Sequence, residues 1–566
     1  MSSKILIIGG VAGGATAAAR LRRLDEKSEI ILFEREEHIS FANCGLPYYI
    51  GGTIKSKEDL LVQTVEGMAN RYNIDIRNKS EVKRINRQQK FVEVINLETS
   101  QEYKESYDYL VLSPGAKPVV PPITGLTAVS NVFTLRNIPD TEKILQHIKE
   151  NNCGSAMIVG GGFIGLEMAE NLRDRNLEVV MVEASDQVQP SIDYEMACIL
   201  HSHLKDKGVK LLLNDSVVEV QASKAILKSG REIKTDLIII SIGVQPENKL
   251  ALEAGLELGE RGSIRVNEYL QTSDQDIYAI GDVIEVKNYI SGLPTHIPLA
   301  WPANRQGRLV ADNIHGKLTP YKGTLGTSVA KVFDLTVAST GLTEKTVKKL
   351  KYDYHVVHIH PNSHAGYYPG AFPISLKMVF GTDGRILGVQ GVGVKGVEKR
   401  IDVIATAIKG RLSVYDLQEL ELAYAPPYSS AKDPVNMLGY VASNIINGSV
   451  KTIQYHEIAE ILKAGNALID VRQPSEVRLG KIDGSINIPL DDLRNRLGEL
   501  PNETIYIYCQ VGLRGYLATR ILEEKGYEAF NLDGGYKTYS SVYIPREKVD
   551  DLEVIDDTGE IINVKK

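Results

Sequence analysis

Two copies of one local pattern constrain this sequence more than any other feature. Each copy is an apolar strand, a glycine-rich turn, a helix and a second apolar strand that ends in an acidic residue. The first runs from KILIIGG to EIILFE near the N-terminus, and the second is SAMIVGGGFIGLEMAENLRDRNLEVVMVE. A helix that follows such a turn presents free N–H groups and its positive dipole end to an anion. The repeat therefore predicts two Rossmann-like dinucleotide-binding folds and two cofactors.

The first glycine turn contains Gly9, Gly13 and Gly14, but Val11 occupies the middle position of the usual GxGxxG pattern. Glu34 ends the following strand, where a carboxylate accepts a hydrogen bond from an adenosine ribose. A glycine-rich turn without a ligand is the alternative if this segment is taken by itself.

Two later segments indicate that the first cofactor is FAD. YDYLVLSPGAKP and TSDQDIYAIGD each run a strand into a glycine turn, and they supply Ser113 with Gly115 and Gly281 with Asp282. In FAD-binding enzymes the acid after such a glycine binds near the ribityl chain and the pyrophosphate. We therefore assign this role to Asp282.

The second glycine turn matches GxGxxG completely through Gly160, Gly162 and Gly165, and is expected to bind the nicotinamide cofactor. Glu183 closes the next strand, where a carboxylate bonds a free ribose 2′-hydroxyl and repels a 2′-phosphate. No arginine follows it that would neutralise a phosphate. The pattern favours NADH, with NADPH as the alternative donor.

Cys44 is the candidate redox residue. It lies in SFANCGLPYYIGG, after the ribose-binding strand and before a segment of helical character whose N-terminus is expected to lower the pKa of the thiol. A buried structural cysteine is the other interpretation, and it is the one we give to Cys153 and Cys198. No second cysteine is near Cys44 in sequence, so its oxidised partner comes from outside. A small thiol in a mixed disulfide and a sulfenic acid both remain open.

Composition limits the remaining classes of function. The 566 residues are enough for about four folding units. The net charge of -7 argues against binding to nucleic acid or to an anionic membrane. The four cysteines are scattered without CxxC or metal-ligand spacing, which predicts no disulfide framework, no metal site and a reducing, cytoplasmic location. The apolar N-terminus reads as a strand and turn rather than a signal peptide, and no other apolar run is long enough to span a membrane.

The motifs SFANCG, YDYLVLSPGA, IYAIGD, PLAWPANRQGR, HAGYYPG and AYAPPYSSAKDPVN are together similar to the coenzyme A-disulfide reductases. These belong to the single-cysteine pyridine nucleotide-disulfide oxidoreductases, and the resemblance covers nearly all of residues 1–446. It implies a homodimer with FAD in each subunit and a Cys44 that cycles through a mixed disulfide with coenzyme A.

The resemblance also implies roles for further residues. Tyr367 and Tyr424 are expected to approach the cysteine of the partner subunit, and Asn43 is expected in the cofactor site as well as at coenzyme A. The implied coenzyme A contacts are Thr16, Arg20, Arg23, Ser40, Asn43 and Lys432. Without the resemblance, Arg20 and Arg23 read equally well as a solvated helix face.

The C-terminal motifs LIDVR, GKIDGSINIP, IYIYCQVGLRG and NLDGG resemble a single rhodanese domain. Cys509 follows an apolar strand and precedes a turn with glycine and arginine, an arrangement that surrounds a sulfur anion with backbone N–H groups. We interpret Cys509 as the sulfur carrier and Arg514 as the residue that closes the loop. Lys481 replaces the usual histidine of the family at a peripheral position.

The predicted fold class is α/β with four domains. Residues 1–113 and 246–322 are assigned to an FAD-binding domain, 114–245 to an NAD(P)H-binding domain, 323–446 to an α+β dimerisation domain and 453–550 to a rhodanese domain. The stretch 248–321 is expected to be rich in strands, and residues 447–452 are expected to form a short polar connector.

The predicted function is FAD-dependent reduction of a coenzyme A disulfide, persulfide or polysulfide by NAD(P)H. Cys44 would act as nucleophile, and a tethered Cys509 would handle sulfane sulfur. The alternatives are an NADH oxidase or peroxidase with a Cys44 sulfenic acid, and a redox-sensing adaptor in a sulfur relay.

Overall fold

The computed structural model describes residues 3–501 and 503–544, together with the backbone of Glu553–Ile555 and Ile561–Asn563. The chain forms two compact units. The first comprises the chain up to Asp186 and Val209–Gly326, and the second comprises Gln187–Gly208 and the chain from Thr327 onward. The last six residues of the predicted rhodanese domain, 545–550, lie outside the described residues.

The elements up to Gly326 alternate between short strands and helices. The strands are β1 (Lys4–Ile8), β2 (Glu29–Phe33), β3 (Asp75–Arg77), β4 (Ser80–Asn86), β5 (Phe91–Asn96), β6 (Glu102–Ser106), β7 (Tyr109–Leu112), β8 (Ala116–Pro118), β9 (Val132–Phe133), β10 (Ser155–Val159), β11 (Glu178–Val182), β12 (Val209–Leu212), β13 (Val217–Gln221), β14 (Lys224–Leu227), β15 (Glu232–Lys234), β16 (Leu237–Ile240), β17 (Val244–Pro246), β18 (Ile277–Ala279), β19 (Val286–Lys287) and β20 (Pro294–Thr295). The helices are α1 (Ala12–Leu24), α2 (Leu46–Gly51), α3 (Val65–Tyr72), α4 (Ile138–Glu150), α5 (Phe163–Asp174), α6 (Tyr194–Asp206), α7 (Lys249–Glu253) and α8 (Ala300–Ile314).

The first unit is built on two five-stranded parallel sheets. One has the order β18-β7-β1-β2-β3 and the other has the order β12-β11-β10-β16-β9. Each glycine turn therefore leaves a central strand, β1 or β10, whose residues are almost all buried. Because the carboxyl ends of neighbouring parallel strands meet at one sheet edge, β7 and β18 bring their glycine turns to the edge where the first turn lies.

The expectation of a strand-rich stretch at 248–321 is wrong in part, because α8 occupies 15 of these residues. Pro298 and Pro302 obscure the helical pattern in the sequence. Pro302 lies in the first turn of α8, where a backbone N–H needs no partner within the helix. Helix α8 packs closely on α1, since a Cβ at Gly307 would lie 2.4 Å from the carbonyl oxygen of Gly13.

The second unit contains α6 and the elements that follow Gly326. Its further strands are β21 (Ser328–Val332), β22 (Leu335–Gly341), β23 (Tyr354–Ile359), β24 (Ile374–Gly381), β25 (Ile386–Gly393), β26 (Lys451–Ile453), β27 (Ala467–Asp470), β28 (Ile486–Asn487), β29 (Ile505–Tyr508), β30 (Ala529–Leu532), β31 (Glu553–Ile555) and β32 (Ile561–Asn563). Its further helices are α9 (Glu344–Lys349), α10 (Val397–Gly410), α11 (Val414–Glu419), α12 (Pro434–Ile446), α13 (Ile458–Lys463), α14 (Pro474–Arg478), α15 (Leu490–Leu493), α16 (Leu513–Glu523) and α17 (Gly535–Tyr543).

Two sheets organise the second unit. An antiparallel sheet has the order β21-β22-β25-β24-β23, and all residues of β24 and β25 are buried. A parallel sheet has the order β26-β30-β29-β27-β28. The predicted α/β class, with two dinucleotide folds, an α+β domain and a C-terminal α/β domain, is confirmed.

The predicted connector is short and partly packed. After α12 ends at Ile446, Val450 is buried and its N–H donates to the carbonyl of Asn444. Strand β26 begins at the next residue and pairs with β30. Among the described residues, no helix is both long enough and apolar enough to cross a bilayer.

We expect Gly307→Ala to weaken FAD binding, because the new Cβ would push α8 away from Gly13 in the first glycine turn. Overpacking of this kind costs about 1 to 3 kcal/mol of stability. The ratio of bound flavin to protein and the thermal unfolding midpoint measure the effect. Gly154→Ala is the control, since a Cβ there meets nothing closer than 4.0 Å. Equal flavin content in both variants would contradict the prediction.

Candidate active sites

The first glycine turn requires residues without side chains. Gly9 has a φ of 100°, and a Cβ there would lie 2.1 Å from the carbonyl oxygen of Ser113. A Cβ at Gly14 would lie 1.8 Å from the carbonyl oxygen of Gly9. Gly13 has Ser113 Oγ 3.0 Å from its Cβ position. The turn is therefore packed directly on the end of β7, where Ser113 follows the strand.

The second turn repeats this construction. Gly160 has a φ of 105°, and a Cβ there would lie 2.6 Å from the carbonyl oxygen of Ser241. A Cβ at Gly165 would lie 2.0 Å from the carbonyl oxygen of Gly160. Gly162, by contrast, has open space within 4 Å of its Cβ position. The three glycines of the pattern thus serve two purposes: close packing at Gly160 and Gly165, and access for a ligand at Gly162.

The acidic residues that close the two βαβ units have the same contacts. Glu34 accepts a hydrogen bond from the N–H of Gly10 at 2.8 Å, and Glu183 accepts one from the N–H of Gly161 at 2.7 Å. The second carboxylate oxygen of Glu183 binds Ser185 through its N–H and its hydroxyl. Each carboxylate therefore holds its own glycine turn.

The N-termini of α1 and α5 are suited to a pyrophosphate. Neither Val11 nor Gly162, their N-cap residues, caps the helix with a side chain, and neither first turn contains an acid. Helix α4 differs, because Asn137 caps it. The unsatisfied N–H groups and the helix dipole of α1 and α5 remain available to an anion. The residues therefore fit two dinucleotides.

The remaining predicted FAD residues lie at the carboxyl edge of the first sheet. Gly115 and Gly281 both have positive φ angles, 74° and 79°. The N–H of Gly281 donates to Oε1 of the buried Gln306 at 2.7 Å, a contact that the sequence analysis missed. Burial raises the pKa of Asp282. Asp282 is the middle residue of the single helical turn Gly281–Val283.

Cys44 is an exposed free thiol on the helical turn Asn43–Gly45, directly before α2. Burial of the thiol by neighbouring groups raises its pKa, and the carboxylates of Glu167 and Asp282 raise it further. The sequence analysis predicted that the following helix lowers this pKa. The groups of the protein itself raise it instead, so that prediction is wrong. Burial of the thiol is the largest cause of the shift, and the two nearby carboxylates add to it.

Glu167 was not predicted, although it stands two residues after the last glycine of the GxGxxG turn. Burial raises the pKa of its carboxyl to about 7, and Glu170 adds to the shift. Tyr48, four residues after Cys44, hydrogen-bonds to Glu167. The surroundings of Cys44 thus contain a carboxyl group that changes charge near neutral pH.

The residues assigned to coenzyme A are only partly assembled. Thr16, Arg20 and Arg23 lie at one-turn spacings on α1, and Arg23 is exposed. Arg20 is neither free nor simply solvated, because it pairs with Asp312 at 2.7 Å. Thr16 donates to Asn304 at 2.6 Å.

Ser40 and Asn43 belong to the segment that carries Cys44. The backbone N–H of Ser40 donates to the carbonyl of Gly10 and so ties this segment to the first glycine turn. Asn43 is exposed and donates to the carbonyl of Arg136 at 3.3 Å. Lys432 is exposed in the second unit, just before the N-cap of α12.

Tyr367 and Tyr424 come together, as their shared role would require. Their hydroxyl oxygens are 2.8 Å apart, and both rings are exposed. The hydrogen bond to Tyr424 raises the pKa of Tyr367. They form a pair of phenol groups at the surface of the second unit, 57 residues apart in sequence.

Cys509 is buried at the end of β29 and begins a tight loop. The N–H of Gly512 donates to Cys509 Sγ at 3.1 Å, and Gly512 has a φ of 100°, which favours glycine. Gly512 is also the N-cap of α16. The sulfur therefore lies at the N-terminus of an 11-residue helix, where an anion is stabilised.

Arg514, which is predicted to close the sulfur loop, pairs with a residue that the sequence analysis did not identify. Its guanidinium makes two hydrogen bonds of 2.7 Å to the carboxylate of Glu476, which is almost fully buried. Arg472 is a second missed arginine: it pairs with Asp470 at 2.8 Å and donates to Gln510 at 3.1 Å, next to the sulfur. The motif LIDVR contains Asp470 and Arg472, so their spacing was the available signal.

The other two cysteines have no such surroundings. Cys198 is buried in α6, and burial raises the pKa of the partly exposed Cys153. Lys481 is exposed, as its predicted peripheral position requires.

Comparison with known proteins assigns these sites to a family. Residues 3–307 match pyridine nucleotide-disulphide oxidoreductases, and residues 327–434 match the dimerisation domain of the same proteins. Residues 454–541 match a rhodanese-like domain. The chain belongs to the pyridine nucleotide-disulphide oxidoreductase family.

Three members or relatives of this family show how far the similarity extends. The coenzyme A disulfide reductase of Staphylococcus haemolyticus is 39% identical over 445 residues, which are 78% of this chain and 100% of that protein. The crystal structure of reduced Bacillus anthracis CoADR-RHD is 58% identical with a TM-score of 0.95, and covers 96% of this chain and 98% of its own. An NAD-dependent persulfide reductase from A. fulgidus is 36% identical with a TM-score of 0.89, and covers 95% of this chain and 100% of its own.

The resemblance inferred from the motifs is confirmed, as are the enzyme class and the cofactors FAD and NADH. In this pyridine nucleotide-disulphide oxidoreductase, the turn at Gly9–Gly14 fits FAD and the turn at Gly160–Gly165 fits NADH. The roles of the individual residues stay predictions.

We expect Glu167→Gln to move the pH profile for alkylation of Cys44 to lower pH by up to about one unit, because it removes a negative charge that raises the thiol pKa. The test is the rate of iodoacetamide labelling of the Cys44 peptide. It is measured by mass spectrometry at about ten pH values, from about pH 6 to about pH 10. Glu253→Gln, at an exposed position on α7, is the control. An unchanged profile in Glu167→Gln would contradict the prediction, because the Glu167 carboxylate would then have no effect on the pKa of the Cys44 thiol.

Proposed function

We propose that this enzyme uses NADH to reduce coenzyme A disulfide or a low-molecular persulfide at Cys44, and that Cys509 carries sulfane sulfur. The observation that carries the proposal is the presence of two different thiols in one chain. Cys44 is exposed beside the flavin turn, and Cys509 is buried under a backbone N–H. The similar proteins, named coenzyme A disulfide reductase and NAD-dependent persulfide reductase, support these substrate classes.

The reactions balance without another reactant. A disulfide RSSR, NADH and a proton give two RSH and NAD⁺, and a persulfide RSSH gives RSH, hydrogen sulfide and NAD⁺. FAD and NADH supply the two electrons when bound. The thiolate of Cys44 attacks one sulfur of the substrate, releases one thiol and retains the other in a mixed disulfide. Arg23 and Lys432, both exposed, and Arg20 are proposed to hold the phosphates of coenzyme A.

Arg20 would bind a phosphate in competition with Asp312, its partner at 2.7 Å. Ser40 and Asn43 are proposed to contact the bound thiol near Cys44. Tyr367 and Tyr424 are proposed to donate to the leaving thiolate of the partner subunit in a homodimer. The dimerisation domain at residues 327–434 supports this arrangement.

NADH is proposed as the preferred donor because Glu183, which is predicted to bind the ribose, would repel a 2′-phosphate. Its hydrogen bond to Gly161 keeps the carboxylate at the second glycine turn. The four cysteines form no disulfide with one another, which supports a reducing, cytoplasmic location.

The first test is mass spectrometry of the purified, non-reduced protein with and without dithiothreitol. We expect a reducible adduct of coenzyme A mass on Cys44, because the exposed thiol has no cysteine partner in the chain. A sulfenic acid on Cys44 with rapid oxygen consumption would instead favour the NADH oxidase alternative. Rapid NADH oxidation with a persulfide would exclude a purely sensory adaptor.

We expect Cys509→Ser to retain NADH-dependent reduction of coenzyme A disulfide and to lose sulfur transfer from thiosulfate to cyanide by at least about 100-fold, since it removes the attacking thiolate. Cys198→Ser, at the buried cysteine in α6, is the matched control. Equal loss of both activities in Cys509→Ser would contradict the proposed division between the two thiols.

A further inference from the structure

A cluster of ionised side chains is buried in the second unit, away from both thiols. The ammonium of Lys377, on β24, is fully buried and pairs with Asp193 at 3.1 Å, with Glu344 at 2.6 Å and with Glu195. Asp193 and Glu195 belong to the segment at 187–208, and Glu344 begins α9. The three carboxylates face one another closely enough to hold a cation, and the lysine ammonium is the cation that they hold.

His358, on β23, extends this cluster to the rhodanese domain. Its Nδ1 lies 2.6 Å from Asp533 and its Nε2 lies 3.1 Å from Glu195. Burial opposes a charge on the ring, but the two carboxylates outweigh it and raise the pKa of His358 to about 9. The imidazolium therefore joins a carboxylate of segment 187–208 to a carboxylate just after β30.

The contact at Asp533 continues along the backbone to the sulfur loop. The main-chain N–H of His358 also donates to Asp533 at 3.0 Å. A Cβ at Gly534 would lie 2.8 Å from Cβ of His358, and a Cβ at Gly535 would lie 2.5 Å from the carbonyl oxygen of Cys509. The Gly534–Gly535 backbone is thus packed between His358 on one side and the Cys509 loop on the other.

Asn531, two residues before Asp533, holds the other side of the same loop. Its side-chain N–H donates to the carbonyl of Gly512 at 3.1 Å, and the N–H of Gly512 donates to Cys509 Sγ. Its Oδ1 is buried without a hydrogen-bond partner in the described part of the chain and lies 2.1 Å from the Cβ position of Gly515. The end of β30 therefore determines where the loop amide points.

We propose that His358 is a positioning residue for Cys509. By fixing Asp533 and the two glycines that follow, it keeps the N–H of Gly512 directed at the sulfur, so sulfur transfer depends on docking of the rhodanese domain against the dimerisation sheet of the same chain. The inference rests on the proposed sulfur-carrying role of Cys509. The rhodanese domain is then docked at a fixed position and is not merely tethered by its connector.

The test uses the full-length enzyme with His358→Leu, which removes both donors, and His358→Asn, whose amide N–H can still reach Asp533. His355→Gln is the control, because His355 is on the same strand and contacts Phe380 instead. Three measurements are made on each protein. They are the pH profile of Cys509 alkylation, thiosulfate:cyanide sulfur transfer, and NADH-dependent disulfide reduction. In the sulfur transfer, Cys509 takes one sulfur from thiosulfate, releases sulfite and passes the sulfur to cyanide.

We expect His358→Leu to move the alkylation profile of Cys509 to higher pH and to lower kcat for sulfur transfer by about tenfold, with disulfide reduction within about twofold of wild type. His358→Asn should recover most of both losses. A wild-type alkylation profile and kcat in His358→Leu would overturn the proposal. If that variant does not fold, Asp533→Asn takes its place, because it removes the charge that pairs with His358. A kcat for sulfur transfer at least about threefold lower than in His355→Gln would then support the proposal, and wild-type values in Asp533→Asn would overturn it.

The two proposals fail in different ways. If wild-type enzyme transfers no sulfur, the role of Cys509 is wrong, whereas the alkylation profile still reports whether His358 orients the loop.

Discussion

The close approach of backbone to backbone at the glycine turns is the constraint on which the rest of the structure depends. At Gly9 and Gly160 a side chain would collide with the carbonyl oxygen that follows a neighbouring strand, Ser113 or Ser241. The turns can close only without a Cβ, and their closure leaves the N-termini of α1 and α5 open to anions. The segment that carries Cys44 is then tied to the first turn through the N–H of Ser40.

The two thiols have opposite electrostatic surroundings, which suits a division of labour. Cys44 is exposed, but partial burial of its thiol and the nearby carboxylates of Glu167 and Asp282 raise its pKa and so disfavour a thiolate. Cys509 is buried, yet it receives an N–H from Gly512 at the start of a helix. The first arrangement leaves the thiol of Cys44 open to solution, and the second places the sulfur of Cys509 where an anion is stabilised.

The second unit is organised by charges that are buried together. Lys377 and His358 connect the segment 187–208, the antiparallel sheet and the end of β30. Desolvation of such a cluster costs free energy, but removal of one member would leave its charged partners unpaired in the interior. It therefore specifies one way for these segments to pack.

The sequence by itself determined the fold class and both cofactor turns, and it predicted which two cysteines react. These depend on local patterns: glycines at fixed spacing, apolar strands, and cysteines next to helix starts. It missed α8, whose prolines hide a helix, as well as Gln306 and Glu476. Tertiary structure alone decided the partners of Arg20 and Arg514, the raised pKa of Cys44 and the cluster at His358. The reason is physical: burial and charge pairing join residues up to 292 positions apart, and a charged residue looks the same in sequence whether its partner is water or a buried carboxylate.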